Sequence, residues 1–323
     1  MSNFHSNEIK DIEFLAWIEK QWQTPIVTLV DSVNTNQEKV QRLTFIDGTH
    51  RFLKKMASAH RIRLELSIHK VLLEYGVRIA PLLPTYCGER WAEHDGHLYV
   101  LAEELAGAVI TKVQPRDAFL FGQGLAQLHQ AMAVLEDGGQ YPRMNLAQQL
   151  EEWAFPITME AIEKDRNRDA IKKLVSEMKV VWFPILELIP KQLIHRDTHP
   201  GNMIMGEDGK VGFLDFDISQ SGIRLLDICY FCTSQWISDY SLQKYADSWI
   251  NLLTEFRRGY EEISLLSDLE QASAFFVMCA IQMIFISFWH EKKRPDLVET
   301  NLETLIGLLQ NRASIKLAFG IGS

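Results

Sequence analysis

The chain has 323 residues, 47% of them hydrophobic, which is enough to bury a large core in one big domain or in two lobes. The formal net charge of -9 argues against a nucleic-acid partner, because nucleic-acid binding usually requires a basic surface. The four cysteines are scattered and mostly within apolar runs, and the N-terminus lacks a basic segment followed by an apolar one, so we expect a cytoplasmic protein with neither a disulfide framework nor a secretory signal.

The first hundred residues are predicted to form a sheet with one central helix. Residues 8–22 have apolar side chains at helical spacing, and the β-branched run "PIVTLV" that follows them suits a strand. Two more strands are predicted on either side of Asp47 and Gly48, a dipeptide that tolerates the positive φ values of a tight hairpin. A helix over residues 58–75 is followed by a glycine in the usual C-terminal position, and residues 97–105 suit another strand.

The rest of the chain is predicted to be mostly helical. Helical apolar spacing extends over residues 118–135, 145–188, 240–260, 266–292 and 295–318. Residues 191–217 are different, because they have short apolar runs and a second hairpin turn at Asp208 and Gly209. The apolar stretch 272–289 is about long enough to cross a membrane, but it carries Ser273, Gln282 and Ser287, so we interpret it as a core helix and expect no membrane association.

A polar loop and a hairpin in the middle of the chain carry the functional signal. Asp197 and Asn202 lie five residues apart in "HRDTHPGN", and Asp215 follows the strand "VGFL" across the second hairpin, so we expect three oxygen-bearing side chains to converge. Phosphoryl transfer needs such a set, with a carboxylate to accept the proton of the attacking hydroxyl and oxygen ligands for Mg²⁺. An ordinary polar turn uses the same residue types, but a hairpin that delivers "LDFD" argues against that interpretation.

Two patterns of metal-binding residue types are interpreted as structural. His195 and His199 are four residues apart, as in zinc-binding helices, but the Pro-Gly pair that follows argues against a helix. We instead expect His195 to brace the loop by hydrogen bonding. Cys229 and Cys232 form a CxxC spacing in an apolar segment without a second pair nearby, so we interpret them as core residues.

The segment "LIHRDTHPGN", followed by "GFLDFD" and "RLLDI", resembles the aminoglycoside phosphotransferase and choline kinase superfamily, a branch of the protein-kinase-like fold. Upstream, "RFLKK", "LELSIHKVLLEYGV" and "YVLAEELAG" resemble its ATP-lysine strand, its regulatory-type helix and the hinge between its lobes. The resemblance covers roughly residues 25–235. It implies a bilobal α+β fold with a small antiparallel-sheet N-terminal lobe over residues 1–104 and a larger, mainly helical C-terminal lobe over residues 105–323.

The resemblance also implies a kinase that uses ATP and Mg²⁺ and phosphorylates a hydroxyl of a small molecule such as an aminoglycoside, an amino alcohol or a sugar. Carried over to this chain, Asp197 would be the catalytic base, and Asn202 and Asp215 would hold the Mg²⁺. Asp227, in "RLLDI", would brace the catalytic loop from the next helix.

The same resemblance assigns the nucleotide contacts to the N-terminal lobe. Lys54, paired with Glu65, would contact the α and β phosphates, and backbone groups from Glu103 to Leu105 would hydrogen-bond the adenine. Lys55 is the alternative to Lys54, because neighbouring side chains on a strand point to opposite faces and only one of them can reach the nucleotide. An ordinary surface position remains open for either lysine.

Several positions depart from the family pattern. The phosphate-covering loop, residues 31–39, contains no glycine, and Arg196 stands where most of these small-molecule kinases have glycine. Eleven residues separate Asp215 from Asp227, which leaves no room for the activation loop of a protein kinase. A protein-serine/threonine kinase of the same superfamily and a non-catalytic nucleotide-binding relative remain as alternatives. Residues 238–296 hold nine Asp or Glu against six Lys or Arg, which permits a cationic acceptor.

Overall fold

A computed structural model describes residues 2–30, 40–46, 48–135, 140–239 and 246–322. The chain divides into two compact units, one formed by Met1–Leu73 and Arg78–Ala106 and the other by Glu74–Val77 and Gly107–Ser323. The first combines an antiparallel sheet with helices and the second is mainly helical, so the predicted α+β class is confirmed. The assignment of functions to lobes at a boundary after residue 104 stays a prediction, and the phosphate-covering loop lies outside the described residues.

The first unit is built on a five-stranded antiparallel sheet with strand order β1-β2-β3-β6-β5. Its elements are α1 (Ser2–Trp22), β1 (Ile26–Val30), β2 (Val40–Phe45), β3 (His50–Met56), α2 (Ala59–Glu74), β4 (Arg78–Ile79), β5 (Ala92–His94) and β6 (His97–Glu103). The predicted hairpin is confirmed by the pairing of β2 with β3 and by a positive φ of 79° at Gly48, while its other turn residue, Asp47, is not among the described residues.

Both faces of this sheet carry apolar side chains. Because side chains alternate between the faces along each strand, residues of one strand belong to two different clusters. Leu53 of β3 belongs to a buried cluster with Ile18 of α1. Val100 of β6 and Met56 belong to a second cluster, which includes Ile62 of α2. The sheet therefore lies between two helices, and the direction in which each β3 side chain points decides which helix it meets.

The second unit consists of helices with short strands between them. Its elements are β7 (Ala108–Val109), α3 (Pro115–Ala133), α4 (Leu146–Gln149), α5 (Phe155–Ala161), α6 (Arg168–Glu177), α7 (Phe183–Leu186), β8 (Gln192–Ile194), β9 (Met203–Met205), β10 (Val211–Phe213), β11 (Gln220–Gly222), α8 (Leu225–Asp239), α9 (Ala246–Glu261), α10 (Asp268–Glu291), α11 (Pro295–Gln310) and α12 (Arg312–Ala318). Two π-helical turns, Leu150–Ala154 and Met178–Trp182, interrupt the region that the sequence predicts as continuous helical spacing.

Helices α3 and α9 approach each other closely because glycines stand at their contact. A Cβ atom on Gly122 would lie 2.1 Å from a carbonyl oxygen of α9, and one on Gly259 would lie 2.0 Å from a carbonyl oxygen of α3. Only glycine permits such an approach of two backbones. The contact brings His129, near the end of α3, to Tyr260 of α9, with 2.8 Å between Nδ1 and the hydroxyl oxygen.

Helix α10 is the apolar stretch that the sequence predicts as core. By length and composition it is the one helix among the described residues that could cross a membrane, but 72% of its most apolar window is buried inside the protein. Phe276 is only 5% exposed, which confirms the core interpretation for this part of the helix. Ile284 is half-buried and lines a cleft, so the prediction of core burial is wrong at this position.

Candidate active site

The second hairpin places Asn202 and Asp215 at neighbouring strand ends. Strands β9 and β10 are antiparallel, with Met203 opposite Phe213, as the sequence predicts. The pairing continues for one more step, because the Leu214 N–H donates to the carbonyl oxygen of Asn202 at 3.0 Å. Asp215 then leaves the strand with a positive φ of 60°, a conformation that aspartate adopts more readily than most residues.

Asn202 holds the carboxylate of Asp197 in place. Its amide Nδ2 donates to Asp197 Oδ2 at 2.9 Å and to the carbonyl oxygen of Asp197 at 3.0 Å. Both acceptors are oxygens without hydrogens, so the amide orientation follows from chemistry. Oδ1 is therefore the atom of Asn202 that is suited to bind a cation.

The residues around the hairpin suit a magnesium ion. Among the described residues, no three His, Cys, Asp or Glu side chains are arranged to hold a metal. Mg²⁺ does not need such a group, because it usually keeps several water molecules and binds one or two carboxylates together with substrate phosphates. The side-chain Oδ1 of Asn202 and the exposed carboxylate of Asp215 are ligands of the kind that Mg²⁺ prefers.

His195 links the loop to the hairpin from a fully buried position. Its Nε2 donates to the carbonyl oxygen of Leu214 at 2.9 Å, and its Nδ1 accepts the N–H of Asp197 at 3.3 Å. Burial lowers the pKa of His195, although the carboxylates of Asp227 and Asp197 oppose this effect. The ring is therefore neutral with its proton on Nε2, and the expectation that His195 braces the loop is confirmed.

Asp227, at the start of α8, anchors the backbone of the same loop. Its Oδ2 accepts the N–H of His195 at 2.8 Å, and its Oδ1 accepts the N–H of Arg196 at 2.7 Å. Its carbonyl oxygen accepts the hydroxyl of Thr198 at 2.7 Å, and His129 Nε2 lies 3.0 Å from Oδ2. These contacts confirm the bracing role predicted for Asp227. The close approach of α3 and α9 places Tyr260 next to His129, and His129 in turn contacts the carboxylate of Asp227.

The two lysines of β3 point to opposite faces of the sheet. Lys54 is opposite Val100 in the strand register and shares the face covered by α2, where its Nζ lies 3.9 Å from Glu65 Oε1. Both side chains of this ion pair are largely buried. Lys55 is opposite Tyr99, which packs against the cluster that includes α1. The contact with nucleotide phosphates assigned to Lys54 stays a prediction.

A buried histidine that the sequence does not single out lies beside this ion pair. His69 is one helical turn after Glu65, and 3.7 Å separate its Nε2 from Glu65 Oε1. Burial, together with the charge of Lys54, lowers the pKa of His69 to about 4. The imidazole is therefore neutral at neutral pH, and Lys54 is the positively charged partner of Glu65.

At the end of β6, the backbone N–H of Glu103 already has a hydrogen-bond acceptor within the protein. The N–H of Glu103 donates to the carbonyl oxygen of Pro81 at 2.9 Å, so this group is not available to a purine base. Adenine contacts from the predicted segment would then use the carbonyl oxygen of Glu103 and the N–H of Leu105. These two contacts remain predictions.

Two neighbouring clefts open beside Asp197 in the second unit. One has a volume of about 300 Å³ and contains Asp197, and the other has about 440 Å³ and contains His199. Tyr230 and Phe285 line both clefts. Tyr230 forms a hydrogen bond with Asp197, and burial raises the pKa of its hydroxyl, so this group stays protonated and donates to the carboxylate. The clefts provide space for an acceptor next to the proposed base.

Sequence reasoning finds the residues of the loop and hairpin and misses those that come from distant helices. His129 and Tyr230 carry no local signal, because their roles arise from packing over sequence separations of 98 and 33 residues from Asp227 and Asp197. The CxxC cysteines are both fully buried, which confirms their interpretation as core residues, whereas Cys87 is exposed and is not a core residue.

Comparison with solved structures shows the same fold. Amicoumacin kinase hAmiN, solved with AMP-PNP, Ca²⁺ and Ami, has a TM-score of 0.70 and 15% identity, over 93% of this chain and 96% of that chain. An aminoglycoside phosphotransferase from Alicyclobacillus acidocaldarius has a TM-score of 0.69 and 14% identity, over 94% and 93%. A microcompartment-associated aminopropanol kinase has a TM-score of 0.64 and 15% identity, over 96% and 99%.

Comparison at the level of sequence identifies the family. No curated protein matches the chain. The model of the phosphotransferase enzyme family matches residues 37–275, which is well over half of the chain and includes four of the five strands of the sheet, the loop with Asp197 and the hairpin. The chain therefore belongs to the phosphotransferase enzyme family and is a kinase with the protein-kinase-like fold.

Proposed function

We propose that the protein transfers the γ-phosphate of ATP to a hydroxyl of a small molecule, with Asp197 as the general base. This proposal rests mainly on one observation: hydrogen bonds hold the carboxylate of Asp197 in a fixed orientation beside a cleft. Asn202 donates to it from one side, Tyr230 donates to it as well, and the backbone of its loop is anchored by Asp227. A carboxylate held in this way is prepared to accept a proton in one fixed direction.

In this mechanism Asp197 orients the acceptor hydroxyl and takes its proton as the oxygen bonds to the γ-phosphorus. The bond from that phosphorus to the bridging oxygen of ADP breaks at the same time, and the products are the phosphate ester and ADP. Asn202 and Asp215 would hold the Mg²⁺, which supplies positive charge to the β and γ phosphates. Asn202 would thus serve both the base, through Nδ2, and the metal, through Oδ1.

The nucleotide contacts are assigned to the first unit. Lys54 would bind the α and β phosphates while Glu65 holds its ammonium group, and Glu103 and Leu105 would bind the adenine. Residues 1–104 would then form the nucleotide-binding lobe and residues 105–323 the catalytic and acceptor-binding lobe. The solved relatives that carry AMP-PNP or act on aminopropanol support nucleotide use and a small acceptor. We further propose a cytoplasmic location, where ATP is available.

The test is an acceptor screen with pure protein, Mg²⁺ and ATP. Aminoglycosides, choline, homoserine, methylthioribose and sugars would be assayed for ADP release, with ³¹P NMR of the products. We expect Mg²⁺-dependent formation of a phosphate ester with at least one small alcohol. Nucleotide binding without turnover of any acceptor would favour a non-catalytic relative. Phosphate transfer to a protein substrate alone would favour the protein-kinase alternative.

A further inference from the structure

The cleft that contains Asp197 has an apolar and aromatic lining. Among the described residues that line it, only Arg196 and Asp197 carry a charge. Helix α10 supplies four of the apolar side chains, and two more come from the π-helical turn Leu150–Ala154 and from the segment between β10 and β11: Ile281, Ile284, Phe285, Phe288, Trp153 and Ile218. Such a surface favours an acceptor with an apolar body, because burial of apolar area provides most of the binding free energy of small ligands in clefts of this kind.

The acidic residues that would bind a polycationic acceptor do not line the two clefts. Of the nine acidic residues over 238–296, four form ion pairs with arginines, and none of the described ones lines either cleft. The pairs are Arg257 with Glu261, Arg258 with Glu255, Arg224 with Glu270 and Arg294 with Asp296. The cationic acceptor that the sequence count permits is therefore not supported by the composition of the clefts.

Arg196 occupies a backbone conformation that favours glycine. Its φ is 73°, in the left-handed region, which is strained for a residue other than glycine. Its half-buried guanidinium donates from Nη1 to Gln220 Oε1 at 3.2 Å and lines the cleft beside the base. Burial lowers the pKa of Arg196, but an arginine remains charged at neutral pH. Its charge interacts with the carboxylates of Asp197 and Asp227, and its place in the lining of the cleft also allows it to contact an acceptor.

Trp153 presents an aromatic surface to the same cleft from an unusual backbone. It lies in the π-helical turn Leu150–Ala154, and its indole Nε1 donates to Glu291 Oε1 at 3.1 Å. Single π-helical turns inside α-helices occur frequently at functional sites. The hydrogen bond satisfies the polar edge of the indole, and the apolar part of the side chain is suited to contact an apolar group in the cleft.

We infer that the acceptor is an amphipathic alcohol whose apolar body lies against Trp153 and Phe285 and whose anionic group, next to the reacting hydroxyl, binds Arg196. The guanidinium supplies a planar set of donors that matches a carboxylate or a related anion. The hydroxyl then lies near Asp197, one residue further along the loop. This inference rests on the proposed function, because it names the class of substrate for the same site.

The test uses three alcohols with one shared phenyl-bearing body. They are tropate, the alcohol in which a methyl group replaces its carboxylate, and the alcohol in which an aminomethyl group replaces it. Binding is followed by quenching of tryptophan fluorescence in the presence of an ATP analogue, and transfer is followed by ADP release. We expect tropate to bind at least about 10-fold more tightly than the methyl compound, and the aminomethyl compound to bind most weakly.

Variants of Arg196 test the assigned contact. Arg196→Gly suits the left-handed backbone, so it removes the guanidinium without adding strain, and it should weaken tropate binding about 10-fold or more while the methyl compound binds as before. Arg196→Lys keeps the charge without the planar fork and should give an intermediate preference. Arg116→Ala, an exposed arginine of α3 outside both clefts, is the control for a simple change in net charge and should keep the wild-type preference.

The outcomes separate this inference from the proposed function. Tighter binding of the aminomethyl compound or of kanamycin, an unchanged preference in Arg196→Gly, or no binding of any of the three alcohols would overturn the inference. Arg196-dependent binding of tropate without phosphate transfer to any alcohol would leave the anion preference of the cleft standing and contradict the proposed function. Efficient transfer to an aminoglycoside alone would support the proposed function and overturn the inference.

Discussion

At the scale of single residues, strand alternation makes the two lysines of β3 unequal. Lys54 shares a face with Glu65, and Lys55 lies on the opposite face with Tyr99. We expect Lys54→Ala to lower kcat/KM for ATP by about 10- to 100-fold, as the loss of a contact between charged groups would. Lys55→Ala should stay within about twofold of wild type and serves as the matched control. Equal losses in the two variants would contradict the register assigned to the nucleotide lysine.

His69 provides a prediction about pH and stability. Its pKa is lowered from 6.5 to about 4 by burial and by Lys54, so the unfolded chain binds a proton that the folded chain does not. The free energy of unfolding should therefore fall as the pH decreases from about 6.5 towards 4, by about 2 kcal/mol between pH 7 and pH 5 from this group. Urea denaturation at both pH values measures the change.

The variant His69→Gln should lose this part of the pH dependence, because it has no group that titrates in the range. His97→Gln, at an exposed position in the same unit, should retain the wild-type dependence and controls for the removal of a histidine as such. A His69→Gln protein whose stability falls between pH 7 and pH 5 as steeply as that of the wild type would show that His69 is protonated in the folded state.

The residues of the site that the sequence predicts are those with a local cause. Asp197 and Asn202 lie in one loop, and Asp215 is joined to them by one hairpin, so spacing alone indicates that they converge. His69 and Tyr230 could not be found in this way, because their burial and their shifted pKa values result from the surrounding tertiary structure. Arg196 was recognised as a departure from the family pattern, but its strain and its place in a cleft required the structure.

At the scale of elements, α10 has both a core function and a cleft-lining function. Phe276 is buried and stacks on Trp182, with 5.7 Å between ring centroids, whereas Ile284 lines the cleft of Asp197. We expect Phe276→Asp to destabilise the protein by about 3 kcal/mol or more, because it removes this packing and buries a charge. Ile284→Asp should remain folded and soluble, and thermal unfolding of the two variants measures the difference.

The apolar stretch alone predicts that both positions are in the core. A folded and soluble Ile284→Asp protein would contradict that sequence-based expectation for Ile284. Unfolding or aggregation of Ile284→Asp to the same extent as Phe276→Asp would contradict the cleft assignment. A stable Phe276→Asp protein would contradict the core assignment for the first half of the helix.

Elements were predictable where the pattern is long or where a turn residue marks it. The hairpin at Gly209, with a positive φ of 77°, and the helix α2, which ends before Gly76 with a φ of 70°, are examples. Strands β5 and β11 were not predicted, because each has three residues and no alternating apolar pattern. The close approach of α3 and α9 was also not predictable, since a glycine within a helical pattern does not reveal which backbone it meets.

At the scale of the whole molecule, the order of the motifs predicted the fold class, and the amount of charge did not predict the chemistry of the clefts. The strand with the lysines, the helix with Glu65, the loop with Asp197 and the hairpin follow one another in the order from which the resemblance was inferred, and the phosphotransferase enzyme family matches residues 37–275. Four of the nine acidic side chains counted over 238–296 pair with arginines, and none of the described ones lines either cleft, so the count does not indicate the charge of the clefts. Only the tertiary structure decides which side chains share a cleft.

The central claim is that Asp197 and Asp215 have different roles in phosphate transfer. Asp197→Ala should bind Mg-nucleotide within a few-fold of wild type, because it removes the base and not a phosphate contact, whereas Asp215→Ala should impair Mg-nucleotide binding as well as turnover. The most direct measurement is nucleotide titration of Asp197→Ala combined with its rate of phosphate transfer to an alcohol that the wild type phosphorylates. We expect near-normal nucleotide affinity and a rate lower by about 10² to 10⁴. Undiminished transfer by Asp197→Ala would contradict the central claim.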